Sequence, residues 1–462
     1  MRRLLSFPAM LCAALVFLTL HTCAGRFDDP DLWWHLQTGQ RILTERTVPT
    51  ADTFSFTAAG QPWLTQEWLA DLLLAKIFLT RGEQGLHILF VATASAIVVL
   101  GYILCSLWSG NWKTSIFGGI LILYFLTTSL TIRPALIGLL FLTIELLLLW
   151  QWQYGRGRLT FLLPILTALW ANTHASFLLG LLAITALTAW RIRCRQNGWH
   201  WLPLCIATAC LTPHGIRTLA YPIEVLFHQP DNLNNIAEWA PLSLAEPRAA
   251  AFLVVISFIV AAHAINWIRL LPIEWLLLAT GSLMAIQHVR MLPIFGLLAA
   301  PVLCRILAQW WETYDPAKDQ PVFNSVLILI AALSVPMLLP ASADIRRQIA
   351  LTEPVKAVSA VRRLGLTGPM INDYTWGGYL IWALPEHRVF LDGRADLYAP
   401  LGILKEYRRW ALLEEDPALL LDRHGIRFCF LRRSAPVAQA LRYMPAWNLA
   451  YEDEQAVIFT RR

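Results

Sequence analysis

The sequence predicts a polytopic α-helical membrane protein that carries a C-terminal α/β domain outside the membrane. Of its 462 residues, 57% are hydrophobic and 15% are charged, whereas about 25% of the residues of a typical soluble domain are charged. The apolar residues fall into repeated runs of roughly 17–22 residues, and a helix of that length crosses a hydrocarbon core of about 30 Å. One soluble core could not bury all of these runs, so a membrane protein is predicted.

The apolar runs predict about eleven membrane spans. The first is expected to be an uncleaved signal anchor rather than a cleaved signal peptide, because more spans follow it. Lysine and arginine concentrate in alternate loops, which places the N-terminus in the cytoplasm by the positive-inside rule. The predicted spans lie near residues 4–22, 85–107, 114–131, 135–153, 159–172, 174–190, 200–212, 249–267, 271–287, 291–310 and 322–340.

An odd number of spans places three segments on the outer face of the membrane: the loop 23–84, the loop 213–248 and the C-terminal region 341–462. Residues 1–340 are therefore expected to form the membrane domain. Amphipathic surface helices are predicted over 66–80 and within 214–240. In the C-terminal region, helices alternate with strands, which is typical of a small α/β domain. Its strands are predicted at 369–372, 388–392 and 427–431, with a hairpin across 447–460.

An acidic motif follows the first apolar run. Asp28, Asp29 and Asp31 precede a tryptophan pair and His35, and Glu67 adds a carboxylate to the same outer loop. Carboxylates near lipid usually mark a site that needs them. The Asp29–Asp31 spacing lets two carboxylates share a divalent ion such as Mg²⁺ or Mn²⁺, or divides the roles of base and metal ligand between them. A solvated acidic loop without a function is the alternative interpretation.

Cationic side chains occupy short outer turns. Arg133 and Arg290 lie where the positive-inside bias should exclude arginine, and His174 and His288 lie in turns on the same face. The planar guanidinium donates two hydrogen bonds at once to phosphate oxygens. Convergence of these turns with the acidic loop would form a pocket for a lipid-linked phosphate. The alternative is that each arginine extends to lipid phosphate alone.

Asp392 and Arg394 follow a predicted strand in the C-terminal region. Ligand sites in α/β domains often lie at the carboxyl ends of strands, so both residues are candidate substrate contacts. The alternative is turn chemistry, which Asp-Gly also serves.

Three motifs resemble a known group: Asp29-Pro30-Asp31-Leu32-Trp33-Trp34-His35-Leu36, Trp376-Gly377-Gly378-Tyr379 and Asp392-Gly393-Arg394. Together with the span layout they resemble a bacterial branch of the GT-C superfamily of integral membrane glycosyltransferases. That superfamily includes the catalytic subunit of oligosaccharyltransferase, protein O-mannosyltransferases and lipid A aminoarabinose transferases. The segment Asn372–Gly377 does not match the Trp-Trp-Asp-Tyr-Gly motif of oligosaccharyltransferase, so recognition of a peptide sequon does not follow.

The resemblance implies transfer of a sugar from a polyprenyl-phosphate donor to a glycan, lipid or protein acceptor, outside the bacterial inner (plasma) membrane. Asp28, Asp29 and Asp31 would be the catalytic carboxylates, with Asp29 and Asp31 as the metal ligands. The remaining candidates would contact substrate, with Arg133 and Arg290 assigned to the donor phosphate by position only, because no family motif fixes them: His35, Glu67, Arg133, His174, His288, Arg290, Asp392 and Arg394.

The sequence is also compatible with two other functions. A transporter or flippase of a lipid-linked substrate would place charges near mid-span and repeat its fold internally, and a non-catalytic envelope assembly protein would use its outer domain to bind a partner. Nucleic-acid binding is excluded, because the net charge of +6 comes from loop arginines rather than from a basic patch interleaved with aromatic residues.

Overall fold

The structure, a computed structural model, describes residues 5–155, 157–228 and 240–462. These residues form two compact units. One, here called the helical unit, comprises residues 5–26, 87–155, 157–220 and 240–341. The other, called the mixed unit, comprises residues 27–86, 221–228 and 342–462. The predicted outer loop thus belongs to the same unit as the C-terminal region.

The described helices, in chain order, are α1 (Phe7–Cys23), α2 (Leu32–Glu45), α3 (Trp68–Ser109), α4 (Ser115–Leu126), α5 (Pro134–Tyr154), α6 (Leu162–Ala171), α7 (Phe177–Arg193), α8 (Trp201–Ala209), α9 (Arg217–His228), α10 (Pro247–Ala264), α11 (Pro272–Gln287), α12 (Leu292–Leu307), α13 (Pro321–Leu338), α14 (Ser342–Thr352), α15 (Val355–Arg363), α16 (Gly377–Ala383), α17 (Ala395–Tyr398), α18 (Ile403–Ala411), α19 (Pro417–Arg423) and α20 (Pro436–Leu441). The strands are β1 (Met370–Asn372), β2 (Phe428–Arg432), β3 (Trp447–Glu452) and β4 (Ala456–Arg461).

Long apolar helices dominate the helical unit. Proline begins α5, α10, α11 and α13, as it favours the first helical position, where its missing N–H costs no hydrogen bond. Among the described residues, five helical segments are long and apolar enough to cross a membrane: Trp68–Ser109, Pro134–Tyr154, Pro247–Ala264, Val289–Leu307 and Pro321–Leu338. A helix lies in each of the eleven predicted segments, but the number that cross the membrane stays a prediction.

Helix α3 joins two predicted elements, the surface helix over 66–80 and the span near 85–107. Gly82 lies between them with φ 62° and ψ −158°, a conformation that glycine adopts without the steric cost of a Cβ. The residues before this break belong to the mixed unit, and those from 87 onward belong to the helical unit.

The mixed unit contains a four-stranded sheet in the order β1-β2-β4-β3. β1 pairs with β2 in parallel, with Ile371 opposite Cys429, and the other two pairings are antiparallel. Buried aromatic residues such as Phe428, Phe430 and Phe459 form its core. The predicted strands at 369–372 and 427–431 and the predicted hairpin correspond to β1, β2 and β3–β4.

The predicted strand over 388–392 is wrong. Only Val389 pairs in this segment, through an isolated parallel bridge to Ser55 in the predicted outer loop. Two backbone hydrogen bonds join the two segments at this bridge: Phe56 N donates to Val389 O, and Val389 N donates to Phe54 O. The predicted helix within 214–240 corresponds to α9, and residues 229–239 lie outside the described residues.

Candidate functional site

The acidic motif leads directly into α2, a helix that the sequence reasoning did not predict. Asp31 is the residue before the helix, and its carbonyl accepts the hydrogen bond of His35 N at 3.3 Å. Buried Asp29 accepts from the backbone N of Asp31 at 2.9 Å, while Asp28 is exposed. The three carboxylates therefore have three different surroundings.

Asp31 lies against the loop that carries Gly393. A Cβ placed on Gly393 would be only 1.9 Å from Oδ1 of Asp31, and one on Gly378 would be 2.5 Å from the carbonyl oxygen of Pro30. Real atoms do not approach so closely, so both contacts depend on glycine. The glycines at 378 and 393, quoted in the sequence motifs, hold the acidic turn against the C-terminal part of the mixed unit.

His35 forms a buried ion pair with Asp71. Its Nδ1 donates to Asp71 Oδ1 at 2.6 Å, and its Nε2 lies 3.7 Å from Glu67 Oε2. The close packing of α2 on α3 makes this pair possible, because a Cβ on Gly39 would lie 2.0 Å from the Asp71 carbonyl oxygen. Two residues of α2 therefore contact the start of α3: His35 through its imidazole, and Gly39 through its backbone, which has no side chain in the way.

The charges in this cluster act on one another. Burial of the His35 imidazole opposes its protonation, but the negative charges of Asp71, Glu67 and Asp31 outweigh burial and raise the pKa of His35. Burial raises the pKa of Glu67 to about 7, although the His35 charge works in the opposite direction. A carboxyl group with a pKa near neutrality can give or accept a proton in a catalytic step.

A further carboxylate, Asp396, lies in the same unit and acts electrostatically on Glu67. The hydroxyl of Tyr221 donates a hydrogen bond to Asp396 Oδ2. Burial raises the pKa of Asp396, and the Tyr221 hydrogen bond lowers it by less. We call the residues Asp31, His35, Glu67, Asp71 and Asp396 the carboxylate cluster.

Asp392 and Arg394 form a buried ion network beside the cluster. Arg394 donates to both oxygens of Asp392, at 2.8 and 2.7 Å, and to Asp52 Oδ1 at 2.8 Å. Its guanidinium also lies 4.5 Å from the ring centre of Trp63, a favourable cation–π arrangement. Because Arg394 and both carboxylates are buried, the network fixes the loop that carries Gly393. A role for Asp392 and Arg394 in contacting substrate stays a prediction.

The four cationic candidates lie in the helical unit. Arg133 precedes α5, His174 lies between α6 and α7, and His288 and Arg290 lie between α11 and α12. Two of these turns touch, because Ser129 Oγ, four residues before Arg133, donates to the Arg290 carbonyl at 3.1 Å. The predicted convergence of these turns with the acidic motif stays a prediction.

Sequence reasoning missed Asp71, Asp52 and Asp396 as members of the site. A signal for Asp71 was present, since Asp31 and His35 are four residues apart, as are Glu67 and Asp71. Residues at that spacing share a helix face. Asp396 lies in the same strand-end segment as the candidates Asp392 and Arg394. Asp52 reaches the site through long-range packing, which no local spacing reveals.

A divalent ion shared by Asp29 and Asp31 stays a prediction. The Asp29 carboxylate already closes a turn onto the Asp31 backbone. Within the described residues, no group of three or more histidine, cysteine, aspartate or glutamate side chains is arranged to hold a metal ion.

The apolar helices and the fold define the class: a mostly helical membrane protein with a GT-C-like fold. The chain is similar to the crystal structure of the oligosaccharyltransferase of Archaeoglobus fulgidus, with a TM-score of 0.59 and 9% identity over 92% of this chain and 69% of that one. It is also similar to ArnT from Cupriavidus metallidurans bound to undecaprenyl phosphate, with a TM-score of 0.52 and 12% identity over 98% and 97% of the two chains.

A second structure of the Archaeoglobus enzyme, tethered to an acceptor peptide containing the NVT sequon, gives a TM-score of 0.58 at 10% identity, over 91% of this chain and 68% of that one. No protein-family model and no curated protein matches the chain. The predicted resemblance to the GT-C superfamily is confirmed for the fold.

Proposed function

We propose that this protein is a membrane glycosyltransferase that moves a sugar from a polyprenyl-phosphate-linked donor to an acceptor on the extracytoplasmic side of a bacterial inner membrane. The observation that carries the proposal is the carboxylate cluster, in which Asp31 of the acidic motif acts on the buried His35–Asp71 pair. The GT-C-like fold supports it, because two solved structures with this fold are named as an oligosaccharyltransferase and ArnT, the latter bound to undecaprenyl phosphate.

In the proposed reaction, Asp31 accepts the proton of the acceptor hydroxyl. The hydroxyl oxygen forms a bond to the anomeric carbon of the donor sugar while the bond from that carbon to the phosphate oxygen breaks. The phosphate leaves with the bonding electron pair, and the proton stays on Asp31. General-base help of this kind typically contributes about 10²–10⁴-fold to the rate.

The His35–Asp71 pair and Glu67 would determine the electrostatic environment of the Asp31 carboxylate. A protonated His35 would place a positive charge close to the proposed base. Glu67, with a pKa near 7, could take the proton onward and return Asp31 to its ionised form. Each role depends on the placement of His35 by α2.

The leaving phosphate needs positive charge. Arg133 and Arg290 would supply it through bidentate hydrogen bonds, with His174 and His288 as further donors. The proposal places the N-terminus in the cytoplasm and these turns on the outer side of the membrane.

Complementation of a deletion strain tests the function. We expect an envelope glycan to disappear in the deletion strain and to return with the wild-type gene but not with Asp31→Asn at equal protein level. Asp344→Asn is the matched control, because Asp344 lies on α14 of the same unit with its side chain 53% exposed. Full restoration by Asp31→Asn would remove Asp31 from the chemistry and favour the transporter or the assembly protein.

A further inference from the structure

The mixed unit contains a cavity that the proposed chemistry does not use. Its volume is about 840 Å³, within the range of roughly 300–1,000 Å³ that is usual for small-molecule sites. The lining includes Asp28, Glu353, Trp376, Arg432, Ser434 and Gln439. Most of these side chains can donate or accept hydrogen bonds, so the cavity suits a polar ligand.

Glu353 is the buried polar group of this cavity. It is 4% exposed, and its Oε1 accepts from Trp33 Nε1 at 3.2 Å. Its Oε2 has no hydrogen-bond partner among the described residues. An unpartnered buried oxygen is costly for a protein to retain, and a ligand hydroxyl in the cavity would satisfy it.

Both arginines of the cavity lie beside carboxylates, one of which, Glu452, also pairs with Arg442. Arg432 lies 4.9 Å from the ring centre of Trp376, and it donates to Asp373 and Thr375. Arg433 pairs with Glu452 at 3.0 Å. With these cations paired to carboxylates, and with Asp28 and Glu454 also in the lining, the cavity does not collect positive charge. A neutral ligand rich in hydroxyl groups therefore fits it better than a phosphate does.

The cavity lies next to the carboxylate cluster along the chain. Pro30 is part of its lining, and Asp31 is the following residue, with a Cα–Cα separation of about 3.8 Å. An oligosaccharide that extended past Pro30 would reach toward the proposed base.

We propose that this cavity binds the acceptor, and that the acceptor is a neutral oligosaccharide. The assignment as acceptor rests on the proposed function, whereas binding of the oligosaccharide can be measured without it. The ligand would place a hydroxyl beside Asp31 and hydrogen-bond to Glu353.

Saturation-transfer NMR on the full-length purified protein tests the proposal. The probe is the pool of water-soluble oligosaccharides released by mild acid from the envelope of the source cells. We expect signal transfer with the wild type and with Asp31→Asn, and its loss with Ser434→Trp, which fills the cavity from an exposed position. Ser359→Trp, at an exposed serine of α15, is the matched control and should keep the signal.

Absence of transfer with the wild type, or equal transfer with Ser434→Trp, would overturn the assignment. Binding of an envelope-derived peptide pool in place of the oligosaccharides, blocked by Ser434→Trp, would overturn the oligosaccharide class. Because Asp31→Asn should bind normally, a failure of the glycosyltransferase proposal in the complementation test is distinguishable from a failure of this site.

Discussion

His35 and Asp71 form an ion pair of 2.6 Å in which the side chains are 3% and 0% exposed. One partner lies on α2 and the other on the first turn of α3, so the pair fixes the acidic motif relative to the start of the first long apolar helix. Removing one partner of a buried pair costs about 3–5 kcal/mol, since the other charge is left uncompensated.

Asp71→Asn keeps the shape of the side chain but removes its charge. The pKa of His35 should fall, since Asp71 contributes the largest upward effect on it. The site would lose the positive charge of the imidazolium, so sugar transfer should drop at least about tenfold at neutral pH. The initial rate of transfer in isolated membranes measures this, with Asp344→Asn as the control. An unchanged rate would remove the pair from the mechanism.

The same pair predicts a pH dependence of stability. The folded-state pKa of His35 is raised above its ordinary value. Protonated His35 therefore contributes its full stabilisation below the ordinary value of about 6.5, and the contribution is lost as the pH rises through the raised value. The melting temperature of the wild type should fall across that interval, and Asp71→Asn should flatten the slope. Equal slopes for the two proteins would contradict the prediction.

Gly393→Ala tests the contact between the acidic motif and the C-terminal loop. The new methyl group would meet Oδ1 of Asp31, because a Cβ there would be 1.9 Å away. The loop is held by Arg394, so Asp31 must move, and transfer should fall at least about tenfold. In the Asp31→Ala background, the same substitution should cost less stability. A double-mutant cycle by thermal unfolding should give a coupling of about 1 kcal/mol or more, and a coupling near zero would refute the contact.

Local patterns predicted the elements well and their long-range packing poorly. Apolar runs of the right length identified the helical segments, because hydrophobicity along a single helix is a local property. The segment 388–392 was predicted as a strand, and its central residues 389–391 are apolar. Only Val389 pairs, however, and its partner Ser55 lies far away in the chain. Among the site residues, Asp31, His35 and Glu67 were predicted from their motif, whereas Asp52 joins the site only through Arg394.

Arg394→Met tests whether the buried network holds the loop. The substitution leaves Asp392 and Asp52 buried without a counter-charge, so the free energy of unfolding should fall by about 3–5 kcal/mol. Arg347→Met is the control, because the Arg347 side chain is 75% exposed and pairs with Asp344 on the surface. That control should change stability by no more than about 0.5 kcal/mol. Similar losses for the two variants would contradict the assigned network.

Glu353→Gln should stabilise the protein at alkaline pH. Burial raises the pKa of Glu353 to about 8, whereas a glutamate in the unfolded chain has a pKa of about 4.3. Between these values the unfolded state releases a proton that the folded state keeps, so the wild type loses stability as the pH rises. Glutamine keeps the acceptor for Trp33 but does not ionise. Its free energy of unfolding should match that of the wild type near pH 4.5 and exceed it near pH 8 by on the order of 1–3 kcal/mol. A wild-type advantage at pH 8 would mean that Glu353 is ionised in the fold and that its cavity accommodates a charge.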